Sequence, residues 1–277
     1  MTQPIWQTSR YAIDLTQPKV MGIVNLTPDS FSDGGRHSTL SIALENAQTL
    51  LAQGADILDI GGESSRPGAE PVSVAEELKR VLPFLQEALT WNVPISVDTY
   101  KPEVMQAALD LGADVVNDIW ALRQPGALEV VARHPQCGVC LMHMHQEPLT
   151  MLVQPMFGDA LPFVRDFLAM QVLKLRDIGV QANRIVLDPG IGFGKTVVQN
   201  LSLLQRQSEL LSLGHPLMTG WSRKGTLGKL TAIQGQAPEP KDRVGASVAA
   251  ALIAVQNGAS VVRVHDVKET VQALRVW

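Results

Sequence analysis

No stretch of this chain approaches the ~18 uninterrupted apolar residues that a membrane span requires. Its start, Met1-Thr2-Gln3-Pro4-Ile5-Trp6, has neither the basic opening nor the apolar run of a signal peptide. Both gaps point to a cytoplasmic protein with no membrane partner. Charge is also sparse, at 18 % of residues with a net of −4. That balance provides no basic face for nucleic acid, although a few well-placed cations suffice for a small anion. Cysteine is limited to Cys137 and Cys140. Their Cys-x-x-Cys spacing raises redox chemistry, which normally uses a thiol at a helix start. Here Cys140 lies within Gly138-Val139-Cys140-Leu141-Met142-His143, which reads as a buried strand, so both cysteines are expected to be structural. Linkers and low-complexity segments are missing too, so residues 1–277 read as one domain.

What is present is apolar and periodic. Hydrophobic residues make up 45 % of 277, enough for a large core. Three segments share one cadence: Gly54-Ala55-Asp56-Ile57-Leu58-Asp59-Ile60, Gly112-Ala113-Asp114-Val115-Val116-Asn117-Asp118 and Gly258-Ala259-Ser260-Val261-Val262-Arg263-Val264-His265. In each, a helical segment stops at a glycine cap, a short β-branched run follows, and a polar side chain ends it. Eight such runs are expected to end near Asn25, Ile60, Asp98, Asp118, His143, Asp188, Gly220 and His265. Helical segments separate them. One carries Val74, Leu78, Val81, Leu82 and Leu85 on a single face, with Ser73 and Glu76 spaced as a capping box. Pro102 suits the first turn of the next helix. The class is α/β, and the arrangement expected is a single (β/α)8 TIM barrel with a short N-terminal extension over residues 1–19. In such a barrel, function belongs at the C-terminal ends of the strands. Three loops on that face are long: residues 26–38, 61–72 and 143–157.

Two near-matches fail. Gly190-Ile191-Gly192-Phe193-Gly194-Lys195-Thr196 lacks the first glycine of a Walker loop, where Pro189 stands, and places Lys195 at the third glycine of a dinucleotide fingerprint. A glycine-rich loop there is instead expected to admit a flat ligand. His143 and His145 alternate on a strand end but have no carboxylate partners to complete a metal site. The strand-end set Asp98, Asn117, Asp118 and Asp188 is more informative. Carboxylates beside an amide suit a nitrogen heterocycle with adjacent donors and acceptors, such as a pterin or purine edge. Helix capping explains any one of them equally well. Cations gather in Ser222-Arg223-Lys224 after the seventh strand and Arg263-Val264-His265 at the eighth. Arg263 and His265 differ by two positions and share a side of the strand, which suits a phosphate or pyrophosphate.

Taken together the motifs resemble the dihydropteroate synthases of folate biosynthesis. The resemblance runs from Val20 to about Arg275 through Asn25-Leu26-Thr27-Pro28-Asp29-Ser30-Phe31-Ser32-Asp33-Gly34-Gly35, Gly61-Gly62-Glu63-Ser64-Ser65-Arg66-Pro67-Gly68, Ser96-Val97-Asp98-Thr99, Asn117-Asp118-Ile119, Asp188-Pro189-Gly190-Ile191-Gly192-Phe193-Gly194-Lys195, Ser222-Arg223-Lys224 and Arg263-Val264-His265-Asp266-Val267. It implies a transferase that joins p-aminobenzoate to 6-hydroxymethyl-7,8-dihydropterin pyrophosphate. By motif, Asp98, Asn117, Asp188 and Lys224 are the implied pterin ligands, and Arg263 and His265 the pyrophosphate ligands. Asn25 is implied to hold Mg2+ with the pyrophosphate. Ser65, Arg66, Pro67, Phe193, Ser222 and Lys224 are implied to surround p-aminobenzoate, with Phe31 in a closing loop. Of these, Asp98, Lys224, Arg263 and His265 are the implied catalytic groups. A homodimer is implied as well, with the Ala-rich segment Ala246–Ala254 as a candidate interface.

Two departures stand out: Ser65 replaces a common threonine, and Trp221 precedes Ser-Arg-Lys while Gly225 follows it where serine is frequent. A pterin-binding methyltransferase acting on a corrinoid protein is expected to share Asp98, Asn117 and Asp188 but to have no use for the Arg263/His265 pair. A non-catalytic pterin-binding paralogue is expected to have lost part of the set, all of which is present here.

Overall fold

Eight strands of mainly Val, Ile and Leu pair in parallel and close on themselves. The computed structural model describes residues 4–27, 36–64, 68–146 and 155–277, the side chains of 36–39 excepted. Phe31, Ser65, Arg66 and Pro67 lie outside the described residues. The barrel strands are β3 (Lys19–Asn25), β4 (Ile57–Gly61), β5 (Ile95–Asp98), β6 (Val115–Asp118), β7 (Gly138–Met142), β8 (Ile185–Asp188), β9 (Leu217–Thr219) and β10 (Ala259–Val264). Each pairs with the next, and β10 closes against β3. Every expected strand end therefore lies within one residue of the observed one.

Around the barrel run α1 (Arg36–Ala52), α2 (Val74–Ala88), α3 (Pro102–Leu111), α4 (Ala127–Arg133), α5 (Ala160–Asp177), α6 (Val197–Gln205), α7 (Gly225–Leu230), α8 (Val244–Gln256) and α9 (Val267–Val276). Gly54, Gly112 and Gly258, the three expected caps, have φ of +103°, +110° and +96°. That left-handed conformation is open to glycine and lets the chain turn from helix to strand within three residues. Ser73 caps α2 by accepting the Glu76 N–H, but Glu76 binds Arg80 at 3.0 Å instead of closing the box. The complete capping box is at α6, between Thr196 and Gln199.

The N-terminal extension does more than precede the first strand. Its segments β1 (Ile5–Gln7) and β2 (Ala12–Asp14) form an antiparallel hairpin. Trp6, Ile13 and Leu15 pack against Met21, Ile57, Val115, Cys140, Val186, Met218 and Val261, the side chains that fill one end of the barrel. Trp6 is fully buried, and its indole N–H donates to the Arg184 carbonyl at 3.0 Å. Asp114 holds the hairpin from the barrel wall, accepting from the backbone N–H of Arg10 at 3.0 Å and its Nη2 at 2.6 Å. The extension thus plugs the N-terminal end of the barrel, opposite the C-terminal strand ends.

Candidate active site

Successive side chains of a barrel strand alternate between interior and exterior. Met21, Ile57, Cys140, Val186, Met218 and Val261 fill the plugged end. Two residues further along, the same parity delivers Ile23, Asp59, Met142, Asp188, Gly220 and Arg263. On β5 and β6 it delivers Asp98 and Asn117. Register places Asn25 beside Gly61, Gly61 beside Asp98, and Asp98 beside Asn117. Met142 lies beside Asp188. Gly61 and Gly220 contribute no side chain to this layer. A Cβ at Gly61 would meet Asp98 Cβ only at 3.7 Å, and one at Gly220 would meet Arg263 Cβ at 3.9 Å. The mouth is therefore polar with space beside its charges.

Arg263 occupies the centre of this layer. Its Nε donates to Asp59 Oδ2 at 2.5 Å and its Nη2 to Asp98 Oδ2 at 2.7 Å. The same Asp59 oxygen accepts Asn117 Nδ2 at 3.0 Å. Asp59 is fully buried and was not among the expected site residues. Its signal was available: it shares parity with Gly61 in β4, whereas Ile60, taken as the strand end, faces the helices. Two donors of Arg263 are thus committed to carboxylates before any anion arrives. Its Nη1 makes no hydrogen bond among the described residues and stays available.

Burial governs the ionisation of the layer. It pushes the Asp98 carboxyl up to about 7, with Arg263 opposing and Asp59, Glu77 and Asp118 adding to the rise. Burial also raises Asp188, against the Gly190 N–H at 2.7 Å and the charges of Lys224, Lys195 and Arg263. Desolvation works against the Arg263 cation, but Asp59 and Asp98 outweigh it and hold the group above its ordinary value. Lys224 is brought down to about 8, first by burial and then by Arg263, with Asp188 and Asp98 opposing. The Lys224 ammonium lies 4.2 Å from the centre of the Phe193 ring, a cation–π contact. Phe193 packs with Ile119, Met142 and Met144, giving one wall of the mouth an apolar face suited to a flat ring.

The Ser222-Arg223-Lys224 cations separate in role. Arg223 has φ of +60°, an uncommon conformation for a residue with a side chain. It is held by its backbone N–H to Ser247 Oγ at 2.9 Å and by Arg243 Nη1 to its carbonyl at 2.9 Å. Its guanidinium pairs with Asp266 at 2.5 and 3.1 Å. Arg223 therefore braces the turn that presents Lys224 rather than joining the anion site. Ser222 is buried, with Oγ 3.0 Å from His265 Nδ1 and accepting the His265 backbone N–H at 3.1 Å. It ties His265 to the barrel rim.

Other expectations change in the same way. Asp118 has outward parity, and its carboxylate accepts the N–H groups of Trp120 and Leu122, both at 2.7 Å. It thereby holds the turn after β6, while the N-cap position of the following helix α4 is Gly126. Gly190 and Gly194 of the glycine-rich loop pack against protein, whereas Gly192 faces Lys224, where a Cβ would meet Cδ at 3.3 Å. A Cβ at Gly190 would stand 1.9 Å from the His143 carbonyl oxygen, and one at Gly194 2.6 Å from His145 Cβ. Buried Lys195 donates to the carbonyls of Gly190, Phe193 and His143 at 2.8, 3.1 and 3.3 Å, which locks the loop. His143 is buried edge-on against Phe167, and burial followed by the charge of Lys195 lowers its pKa to about 2. Trp221 is 1 % exposed and belongs to the main core. Cys137 and Cys140 are both buried free thiols with raised pKa, first through burial, the reverse of a redox thiol. In α8, Ala250, Ala251 and Ala254 are buried in the protein's own core, so only its Ala249/Ile253 side faces outward.

A family model described as pterin binding enzyme matches residues 21–265. The chain is similar to the dihydropteroate synthase of Neisseria meningitidis serogroup B, at 49 % identity over 282 residues, covering 100 % of this chain and 98 % of that protein. It is also similar to the solved structure of Xanthomonas albilineans dihydropteroate synthase with 4-aminobenzoic acid. That match has a TM-score of 0.92 and 46 % identity, covering 100 % of this chain and 97 % of the other. Burkholderia cenocepacia dihydropteroate synthase complexed with 7,8-dihydropteroate matches with a TM-score of 0.88 at 48 % identity, covering 100 % and 96 %. A polar barrel mouth carried on this fold, matched over its full length by such relatives, establishes that the chain belongs to the pterin-binding enzymes as one of the dihydropteroate synthases.

Proposed function

We propose that this chain condenses 6-hydroxymethyl-7,8-dihydropterin pyrophosphate with p-aminobenzoate, giving 7,8-dihydropteroate and pyrophosphate. The observation that carries the reading is the single inward layer of Asp98, Asn117, Asp188 and Arg263, with Lys224 against Phe193 beside it. In this reading Asn117 and the two carboxylates hold the pterin edge, and Lys224 completes that contact while facing the aminobenzoate. The C–O bond from the pterin methylene to pyrophosphate breaks first, with both electrons leaving on oxygen. Asp98 and Asp188 favour the positive charge that develops on the pterin. Arg263 Nη1 and His265 stabilise the leaving anion from fixed positions, so little reorganisation is needed as charge develops. The aniline nitrogen then forms the C–N bond and releases its proton to solvent, which needs no strong base in the site. The Ser65, Arg66, Pro67 and Phe31 contacts to p-aminobenzoate rest on the family resemblance.

Mg2+ belongs to the same proposal. Magnesium favours oxygen ligands and is often held by one or two protein oxygens together with substrate phosphates and water. Among the described residues no cluster of three or more His, Cys, Asp or Glu could cage a metal ion. Asn25 at the end of β3, with side-chain-free Gly61 beside it, fits as a single oxygen ligand next to an arriving pyrophosphate. Bound there, the ion supplies charge neutralisation for the leaving group. No helix among the described residues is long and apolar enough to cross a membrane. Cytoplasmic location and a homodimer complete the proposal, and sedimentation at micromolar concentration showing only monomer removes the latter.

The decisive experiment supplies both substrates and Mg2+ and follows pyrophosphate and dihydropteroate together. Equal release of both is expected. Pterin binding without product refutes the synthase and favours a binding paralogue, and trapping the pterin cation with another nucleophile tests the order of bond breaking.

A further inference from the structure

Two separate loops meet where Lys224 crosses the Phe193 ring, and one buried amide bonds to both. Asn200, on α6, is fully buried. Its Oδ1 accepts the Gly192 N–H at 2.9 Å, and its Nδ2 donates to the Lys195 carbonyl at 3.2 Å. Those two bonds grip the glycine-rich loop on either side of Phe193. The same Nδ2 donates at 3.0 Å to Thr226 Oγ1, which lies in the first turn of α7, two residues after Lys224. The Gly192 N–H can only donate and the Lys195 carbonyl can only accept, so the amide has one workable orientation. Among the described residues no other side chain hydrogen-bonds to both loops. Lys195 fastens the glycine-rich loop to the His143 carbonyl but makes no hydrogen bond to the α7 turn. Where the loops touch directly, the contacts are less directional. A Cβ at Gly192 would stand 3.3 Å from Lys224 Cδ, and the Lys224 ammonium lies 4.2 Å from the centre of the Phe193 ring. A buried asparagine needs partners for its polar atoms, but any partners would satisfy it. These three belong to the two loops that bring Phe193 and Lys224 together.

We infer that Asn200 is a positioning residue for the proposed reaction: with Thr226 it ties the glycine-rich loop to the α7 turn and holds the Lys224 side chain across the Phe193 ring. The inference rests on the reading that Lys224 meets both the pterin and the aminobenzoate. Without the tie Lys224 moves off the ring, and affinity for both substrates falls. The pyrophosphate site keeps its own anchors, since Arg263 is held by Asp59 and Asp98 and His265 by Ser222.

The test uses the full chain with Thr226→Val, Thr226→Ser and Asn200→Ala, alongside Lys224→Arg. Lysines are labelled with 13C at the ε position, and the signal lost in Lys224→Arg identifies Lys224. In the parent its ε protons are expected upfield, because the ammonium end lies over the face of the Phe193 ring. Thr226→Val is close to threonine in shape but removes the acceptor. That upfield displacement should shrink in it, and both KM values should rise about threefold or more. Asn200→Ala should raise them about tenfold. Inhibition by pyrophosphate is expected to stay within about twofold in each variant. Thr226→Ser, which restores the hydroxyl, should recover the parent signal and KM values. If Asn200→Ala does not fold, Thr226→Val decides, because it leaves the Gly192 and Lys195 bonds in place. An unmoved Lys224 signal in Thr226→Val overturns the positioning role, and so does pyrophosphate inhibition weakened as much as both KM values. A displaced Lys224 signal with both KM values unchanged instead overturns the underlying reading of Lys224 as a substrate ligand.

Discussion

Replacing Asp59 with asparagine probes the ion pair at the centre of the barrel mouth. Asparagine has nearly the same shape, so packing is kept while the charge is lost. The carboxylate is fully buried and accepts from Arg263 Nε at 2.5 Å and Asn117 Nδ2 at 3.0 Å. Removing one partner of a buried pair costs about 3–5 kcal/mol. Asp98 still holds Arg263 Nη2 at 2.7 Å. A loss of about 2–3 kcal/mol in urea unfolding is therefore expected, near the value of a charge-assisted hydrogen bond. Arg263 and Asn117 also lose their common anchor. Titration calorimetry should show dihydropterin pyrophosphate binding weakened about 10–100-fold, equivalent to about 1.4–2.8 kcal/mol. The pH dependence has a definite sign. The charge of Asp59 helps to raise Asp98 to about 7, so removing it lets the Asp98 carboxyl ionise at lower pH. The acid limb of kcat/KM then moves down. A variant within about 0.5 kcal/mol of the parent, with unchanged pterin affinity and an unmoved acid limb, refutes this account.

Lys224, held near 8 by burial and Arg263, loses its charge as pH rises through that value, so kcat/KM should decline on the alkaline side. Lys224→Arg keeps its charge throughout and should abolish that limb, and a limb left in place by the substitution shows another group to be responsible. Gly190→Ala would place a methyl 1.9 Å from the His143 carbonyl at φ of +67°, and a loss of about 3 kcal/mol or more is expected in denaturant melts. Gly225→Ser, where a Cβ meets nothing within 4 Å, should stay within about 0.5 kcal/mol of the parent; similar losses at both sites would contradict the packing argument. Trp6→Ala removes the plug at the far end of the barrel and should cost about 3–5 kcal/mol while both KM values hold, since the catalytic mouth is at the other end. A changed KM would show that the two ends are coupled.

The order of elements was legible in the chain because its causes are local. Gly54, Gly112 and Gly258 cap helices, short β-branched runs follow, and the strand ends fall where that cadence places them. Asp98, Asn117 and Asp188 were legible as polar groups at strand ends for the same reason. Asn117 and Asp118 were not separable, since one residue of offset reverses the face and only pairing with β5 and β7 selects Asn117 for the interior. Three things were decided by the closed barrel alone. Arg263 meets Asp59 across 204 positions, Trp6 meets the inner layer from the opposite end, and Lys101 meets Glu63 and Glu77 from 38 and 24 positions away. Helix caps, turns and alternation depend on neighbours a few residues apart, and the sequence by itself determines them. Which charges share a buried space depends on register and closure, and only the tertiary structure decides that.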